Sequence, residues 1–339
     1  TMNKLTKIGA SALCGSLAAI SAANAGDLTV TGGADMTWLS QEGAATGNPL
    51  GIGSNLTFSG SGELDNGWSV ALSVAHDNAN AYSNTNVTVG IPGIGDLRIS
   101  QGVTGSGIDR MDDMTPTVWE EADGTGISAQ IRAVNGVSAG SNIEWTPSSD
   151  MLPAGLTARV AYSPDADGSG SSDKGSAGDT GIMGSGYDLT LTATDELTGV
   201  AGLTLYAGYS SIDQANNAGN VTGDQDEHVL GAKYAAGSFT VGYQVSEEET
   251  GISGTGSTYD NTAYSITFQV NDNLSVGYNH VESDQEGGAA DAEADSLQAA
   301  YTMGGATIRL AEVEVENSGY TTAAANDKKG HVLSVALAF

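Results

Sequence analysis

From residue 28 to the end of the chain one pattern recurs, an alternation of apolar and polar residues with period 2. In "LTVTGGADMTW", Leu28, Val30, Ala34, Met36 and Trp38 fall on one face of an extended chain, because successive strand side chains point to opposite sides. "NLTFSGSGEL" puts Leu56, Phe58 and Leu64 together, and "WSVALSVAH" returns with Trp68, Val70, Leu72, Val74 and His76 on one face. The alternation continues through "NVTVGI", "DLRIS", "SNIEWT", "LTARVAYS", "YDLTLTAT", "LTLYAGYSSI", "HVLGAKYAA", "SFTVGYQV", "AYSITFQV", "LSVGYNHV", "DSLQAAYTM", "ATIRLAEVEV" and "HVLSVALAF", which predicts sixteen strands. Helical periodicity is nearly absent.

Short turns, such as Asp65–Gly67, Pro92–Gly95 and Gly304–Gly305, alternate with longer polar connections, at 41–53, 77–84, 102–137, 164–185, 213–226, 247–261, 283–293 and 317–329. Short, long, short, long is an up-and-down antiparallel meander with its short turns on one rim. Two architectures fit a strand with one apolar and one polar face. A soluble sandwich buries the apolar face. A membrane barrel turns it to lipid and keeps the polar face, such as Thr240/Gly242/Gln244 and Ser275/Gly277/Asn279, inside. Strand length favours the barrel. About ten residues rising about 3.3 Å each and tilted about 40–45° span the roughly 25 Å of an outer-membrane apolar band. Aromatic placement agrees: Trp68, Trp145, Tyr234, Phe239, Tyr301 and Phe339 lie near the short-turn rim, Trp38, Tyr162, Tyr187, Tyr209, Tyr264 and Tyr278 toward the other, as two interfacial girdles would. Closure also removes the exposed edges that an open meander would leave. His76, His228, His280 and His331 fall on the apolar register at the long-loop ends, where polar interfacial residues or lipopolysaccharide contacts belong.

The first residues follow another rule. Lys4 and Lys7 precede an apolar run, Ile8–Ile20, and Ala23-Asn24-Ala25 is an A-x-A site. Residues 1–25 therefore read as a cleaved secretory signal peptide, and 26–339 as the barrel domain. Leu13 before Cys14 disfavours a lipoprotein signal. Cleavage would remove the one cysteine, excluding disulfides, and two of the 11 basic residues, taking the net charge from −30 to −30 − 2 = −32. Such acidity excludes nucleic acid as a main partner and draws cations toward the protein.

The signal peptide, the "AGDLTVTGGADM" start, sixteen meander strands and a last strand ending on Phe339 together resemble the Gram-negative general diffusion porins, of the alphaproteobacterial type. The resemblance covers the mature chain from end to end. It implies an outer-membrane homotrimer passing small hydrophilic solutes. It also implies a terminal aromatic strand read by the barrel-insertion machinery, and a long third loop folded into the barrel. Here that loop is 102–137, with Asp109, Asp112, Asp113, Glu120, Glu121 and Asp123. Lumen-facing positions elsewhere include Arg98, Arg159, Lys233 and Arg309. Acids on the loop facing bases on the wall would set a transverse field across a constriction. The Pro-Glu-Phe-Gly pattern of enterobacterial porins is absent, and the first four strands carry no Lys or Arg, so the acidic side should dominate and the channel should prefer cations.

Other motifs weigh less. Gly136-Val137-Ser138-Ala139-Gly140 matches G-x-S-x-G, but a nucleophile elbow needs a helix after it and a strand, "SNIEWT", follows. No enzymatic role is expected. "DADGSGSSD" has Asp165, Asp167, Ser169 and Gly170 at EF-hand-like spacing, with Asp173 as a further acid and Ser176 where the closing Glu would stand. An acidic surface loop is the plain reading and a weak Ca²⁺ site the alternative, and no other cofactor is required. Glu247-Glu248-Glu249 and the acids of 282–295 read as solvated loop charge, with divalent bridges to lipopolysaccharide as the alternative. The rival functions are a substrate-specific porin, which needs an aromatic track in the lumen, and a secreted acidic calcium-binding β-sandwich or adhesin.

Overall fold

The computed structural model describes residues 28–43, 47–78, 83–102, 105–166, 181–214 and 220–338. Residues 1–25, read above as a signal peptide, and Asp167, Asp173 and Phe339 lie outside the described residues. Sixteen strands follow in order: β1 (Thr29–Gln41), β2 (Leu50–Glu63), β3 (Ser69–Asp77), β4 (Asn84–Ile91), β5 (Gly95–Gly102), β6 (Asn142–Pro147), β7 (Leu156–Ser163) and β8 (Met183–Ala193). Then come β9 (Leu203–Gln214), β10 (Gln225–Ala236), β11 (Phe239–Glu249), β12 (Thr258–Gln269), β13 (Leu274–Gln285), β14 (Ala292–Met303), β15 (Ala306–Glu316) and β16 (Lys328–Ala338). Each pairs antiparallel with its neighbours in the chain. β1 closes on β16 from Gly33–Ala338 to Gln41–Gly330, making one closed barrel with no sheet edge.

Burial settles which way the two faces point. Ile52, Leu230 and Leu297 are 70%, 60% and 59% exposed, whereas Asp188, Glu227 and Glu248 are at most 1% exposed. A sandwich would reverse this, because exposed aliphatic side chains and buried carboxylates both cost free energy in water. The aliphatic face is the outer, lipid-facing one, and the polar face lines the interior. The girdle aromatics Trp38, Trp68, Tyr162, Tyr187, Tyr234, Phe239, Tyr264 and Tyr301 are exposed on that outer face, Tyr209 lies tilted against His228, and Tyr264 stacks with His280.

The strands run farther toward the long-loop rim than apolar alternation indicates. Glu247 to Glu249, read from sequence as solvated loop charge, are the last residues of β11, and Glu282 of β13 stands opposite Glu293 of β14. The cause is an inversion of the faces. On β15, Ile308 and Leu310 point outward; beyond them Glu312, Glu314 and Glu316 take the outward positions and Val313 and Val315 turn in and are buried. The barrel wall rises past the apolar band, so its outer face becomes acidic, while its inner face must cover a loop.

That loop is the connection from β5 to β6. It packs inside at three places. Ala122, Ile127 and Ala129 meet Ala294, Val313 and Val315. Ile108, Met111 and Val134 meet Tyr206 and Val229. Val137 meets Ala161 and Ile212. The wall makes room with glycine: a Cβ at Gly277 of β13 would stand 2.7 Å from Val118 Cγ2. The short rim is turned by tight loops, one of them a helical turn, Asp195–Thr198, ended by Gly199 at φ 71°, a left-handed position that favours glycine.

Candidate functional site

The β5–β6 loop is fixed by polar wall residues along its whole course. Its backbone N–H groups donate outward: Gly107 to Glu144 of β6 at 2.8 Å and Ile108 to Asp188 of β8 at 2.9 Å. Gln244 of β11 donates to the Asp112 carbonyl at 2.6 Å. Gln298 of β14 accepts from the Trp119 N–H at 2.9 Å and donates to the Glu120 carbonyl at 2.6 Å. Lys328 of β16 reaches the Ser128 carbonyl at 2.7 Å. On the way back Arg132 pairs with Glu248, Asn261 of β12 donates to the Arg132 carbonyl at 2.9 Å, and Asn135 and Gly136 donate to Glu227 of β10 at 2.9 and 2.8 Å. The loop thus covers the inner wall from β6 round to β16, reaches Leu39 at the long-loop end of β1, and leaves the rest of β1 and β2 to β4 bare.

Between the loop and that wall lies a cavity of about 610 Å³, lined by Glu120 from the loop and by Asp35, Asn55, Asp77, Asn78, Thr307 and Arg309 from the barrel. Six loop carboxylates were expected at the constriction, and the structure separates them. Glu120 faces the open cavity. Asp112, Asp113, Glu121 and Asp123 line a smaller cavity between the loop and β12–β13. Asp109 accepts from the Ser138 hydroxyl at 2.8 Å, and Asp123 also accepts the Ala129 N–H. Burial pushes the carboxyl groups of Asp109, Glu120 and Glu121 above the ordinary carboxylate range. Asp112, buried beside Asp113, is raised to about 8.

The four bases do not form one patch. Arg98 of β5 stands in register opposite Glu144, and Arg159 of β7 lies on the same part of the wall. The loop's own Arg110 enters between them and binds Glu144 at 2.5 Å. Arg309 donates to Asp35 at 3.3 Å and sits 5.8 Å over the Trp119 ring. Lys233 is on the inner register of β10 opposite Gly242, and among the described residues it forms no ion pair. Sequence reading missed Arg110, Arg132 and the wall acids Glu144, Asp188, Glu227 and Glu248. Their signal was present: each wall acid sits on the polar register of its strand. An acid in the wall of a barrel needs a partner inside it, and the loop supplies arginines and N–H groups.

The remaining candidates do not converge on a reaction. Gly136–Ala139 is a single 3-10 turn leading into β6, with Ser138 buried, so no elbow forms. Asp165 lies just after β7, and among the described residues no three His, Cys, Asp or Glu side chains are gathered closely enough to hold a metal ion.

A closed sixteen-strand barrel, aliphatic outside, polar inside and narrowed by an in-folded loop, defines a water-filled membrane channel. The comparisons give the family. The model of the Gram-negative porin family matches residues 9–320, and the chain belongs to that family. Solved structures share the fold. An anion-selective porin from Comamonas acidovorans is 12% identical with a TM-score of 0.66, over 92% of this chain and 99% of that one. Salmonella typhi OmpF, in complex with daunomycin, is 14% identical with a TM-score of 0.68, over 92% and 97%. A mutant of the Rh. blastica porin is 15% identical with a TM-score of 0.56, over 92% and 100%. No curated protein matches. The protein is a passive channel of the Gram-negative outer membrane.

Proposed function

We propose that this porin passes small hydrophilic solutes and prefers cations. The observation that carries the preference is the distribution of charge around the open cavity. Both loop arginines are engaged by wall carboxylates, Arg110 by Glu144 and Arg132 by Glu248. The wall of β1 to β4 has no Lys or Arg and presents Asp35 and Asp77 to the cavity, opposite Glu120. The one base there, Arg309, lies against Asp35. Charged rings of one sign raise the local concentration of the opposite ion. The fold itself is neutral on this point, since a Comamonas porin of the same fold is named anion-selective. Selectivity must therefore come from side chains. The aromatics nearest the loop, Tyr206, Tyr259 and Tyr320, are buried in its packing, which supports general diffusion over an aromatic-guided substrate path.

Reconstituted in planar bilayers under a KCl gradient, the channel should show a zero-current potential of the sign that favours K⁺. Asp35→Asn with Asp77→Asn and Glu120→Gln should reduce it. A potential favouring Cl⁻ in the unmodified protein overturns the reading. The homotrimer carried by the family resemblance predicts a heat-labile, SDS-resistant oligomer, and a monomer in unheated samples from the membrane fraction would contradict it.

A further inference from the structure

We propose that residues 318–320, in the connection between β15 and β16, form a strap that holds the far turn of the β5–β6 loop against the barrel wall, with Tyr320 as its positioning residue. The width of the open cavity is then set by two connections rather than one. The contact between them runs along both backbones. Gly319 donates its N–H to the Ala129 carbonyl at 2.9 Å, and the Ser318 hydroxyl donates to the Ser128 carbonyl at 3.1 Å. Lys328, at the start of β16, ties both chains, donating to the Ser128 carbonyl at 2.7 Å and to the Ser318 hydroxyl at 2.9 Å. Tyr320 then enters the barrel. It is 7% exposed, and its ring meets Tyr259 of β12 edge-on at 5.6 Å. Its hydroxyl accepts the Arg132 N–H at 3.3 Å and lies 3.0 Å from the Ser283 hydroxyl of β13. Arg132 itself lies 5.3 Å over the Tyr259 ring. One side chain thus joins the returning leg of the loop to two strands of the wall.

The backbone adds a separate observation. Asn317, Gly319 and Tyr320 all take positive φ, at 52°, 70° and 61°. Glycine suits that left-handed region. A bulky residue is a rare occupant and persists there only where its surroundings over-determine it, typically at clamps and switches. What holds Tyr320 in this conformation is its ring and hydroxyl, and both act on the constriction loop and the wall behind it. Packing gives the direction of any release. Ile127 and Ala129 lie against Val313 and Val315 of β15. The wall therefore blocks the far turn on one side, and the lumen is the free side. Without its strap the turn should swing into the lumen and obstruct it for part of the time.

Single-channel recordings of the full protein in planar bilayers read this as the fraction of time spent in low-conductance states. Tyr320→Gly removes the ring while the backbone keeps its left-handed turn without strain, so its effect belongs to the side chain. It should raise that fraction at least about tenfold, together with the rate of trypsin cleavage after Arg132. Tyr320→Phe keeps the ring and should show a smaller rise. Thr322→Ala, on the exposed part of the same connection, should change nothing. Lys328→Met loosens the strap from its other end without touching the aromatic contact, and should raise the fraction in the same direction. Heat-modifiable migration on gels shows which variants are folded, and Lys328→Met decides the outcome if Tyr320→Gly is not. Unchanged recordings and cleavage in folded Tyr320→Gly, or in Lys328→Met where that variant decides, overturn the proposal. A rise in Thr322→Ala equal to that in Tyr320→Gly does so too. The readout does not depend on which ion the channel prefers, so this proposal and the cation-preferring reading fail separately.

Discussion

Single residues in this channel are tuned by contacts that sequence position does not advertise. Ser138, the centre of an apparent nucleophile motif, has its hydroxyl bound to Asp109. Burial raises the Asp109 carboxyl, and this bond opposes the rise. The sign of the linkage follows. A carboxyl raised in the folded state contributes most stability in acid and loses it as pH climbs from the ordinary carboxylate value to the raised one. Ser138→Ala removes the opposing bond, so the Asp109 carboxyl should rise further. On acidification the variant should lose its cation preference at a correspondingly higher pH, measured as the midpoint of the zero-current potential against pH. An unchanged midpoint would mean that Asp109 does not contribute to the field.

At the scale of elements, the strands were legible and the loop's docking was not. Sixteen apolar stripes were found because lipid demands alternation along every strand. That Val313 and Val315 turn inward was not legible, because a stripe of valines carries no label saying whether hydrocarbon or protein covers it. Glu248 was read as solvated for the same reason: its partner, Arg132, lies 116 residues away. Long-range partners of this kind are set by closure of the barrel. Breaking that pair tests the loop's anchorage. Glu248 is buried while the Arg132 side chain is 45% exposed, so the cost of Glu248→Ala should fall below the 3–5 kcal/mol of a fully buried pair, at about 2 kcal/mol. That raises the open-loop population about thirtyfold, seen as faster trypsin cleavage after Arg132. Gly277→Val should act similarly through Val118, by overlap rather than loss of charge.

For the whole molecule, the inversion of faces draws the membrane boundary on the barrel. Val241 and Glu249 share the outer face of β11, one within the apolar band and one above it. In folding titrations from urea into lipid vesicles, Val241→Arg should cost about 2–4 kcal/mol and Glu249→Gln close to nothing. Equal costs would place the boundary elsewhere. The seam between β1 and β16 has a further consequence. It joins segments as distant as Asp35 and Ser334, 299 residues apart and hydrogen-bonded across it. The hoop therefore cannot be fastened until the final strand is delivered. Birth order along the chain thus becomes a schedule for assembly: the earliest strand waits with one flank unmatched, and its mate is the latest to arrive.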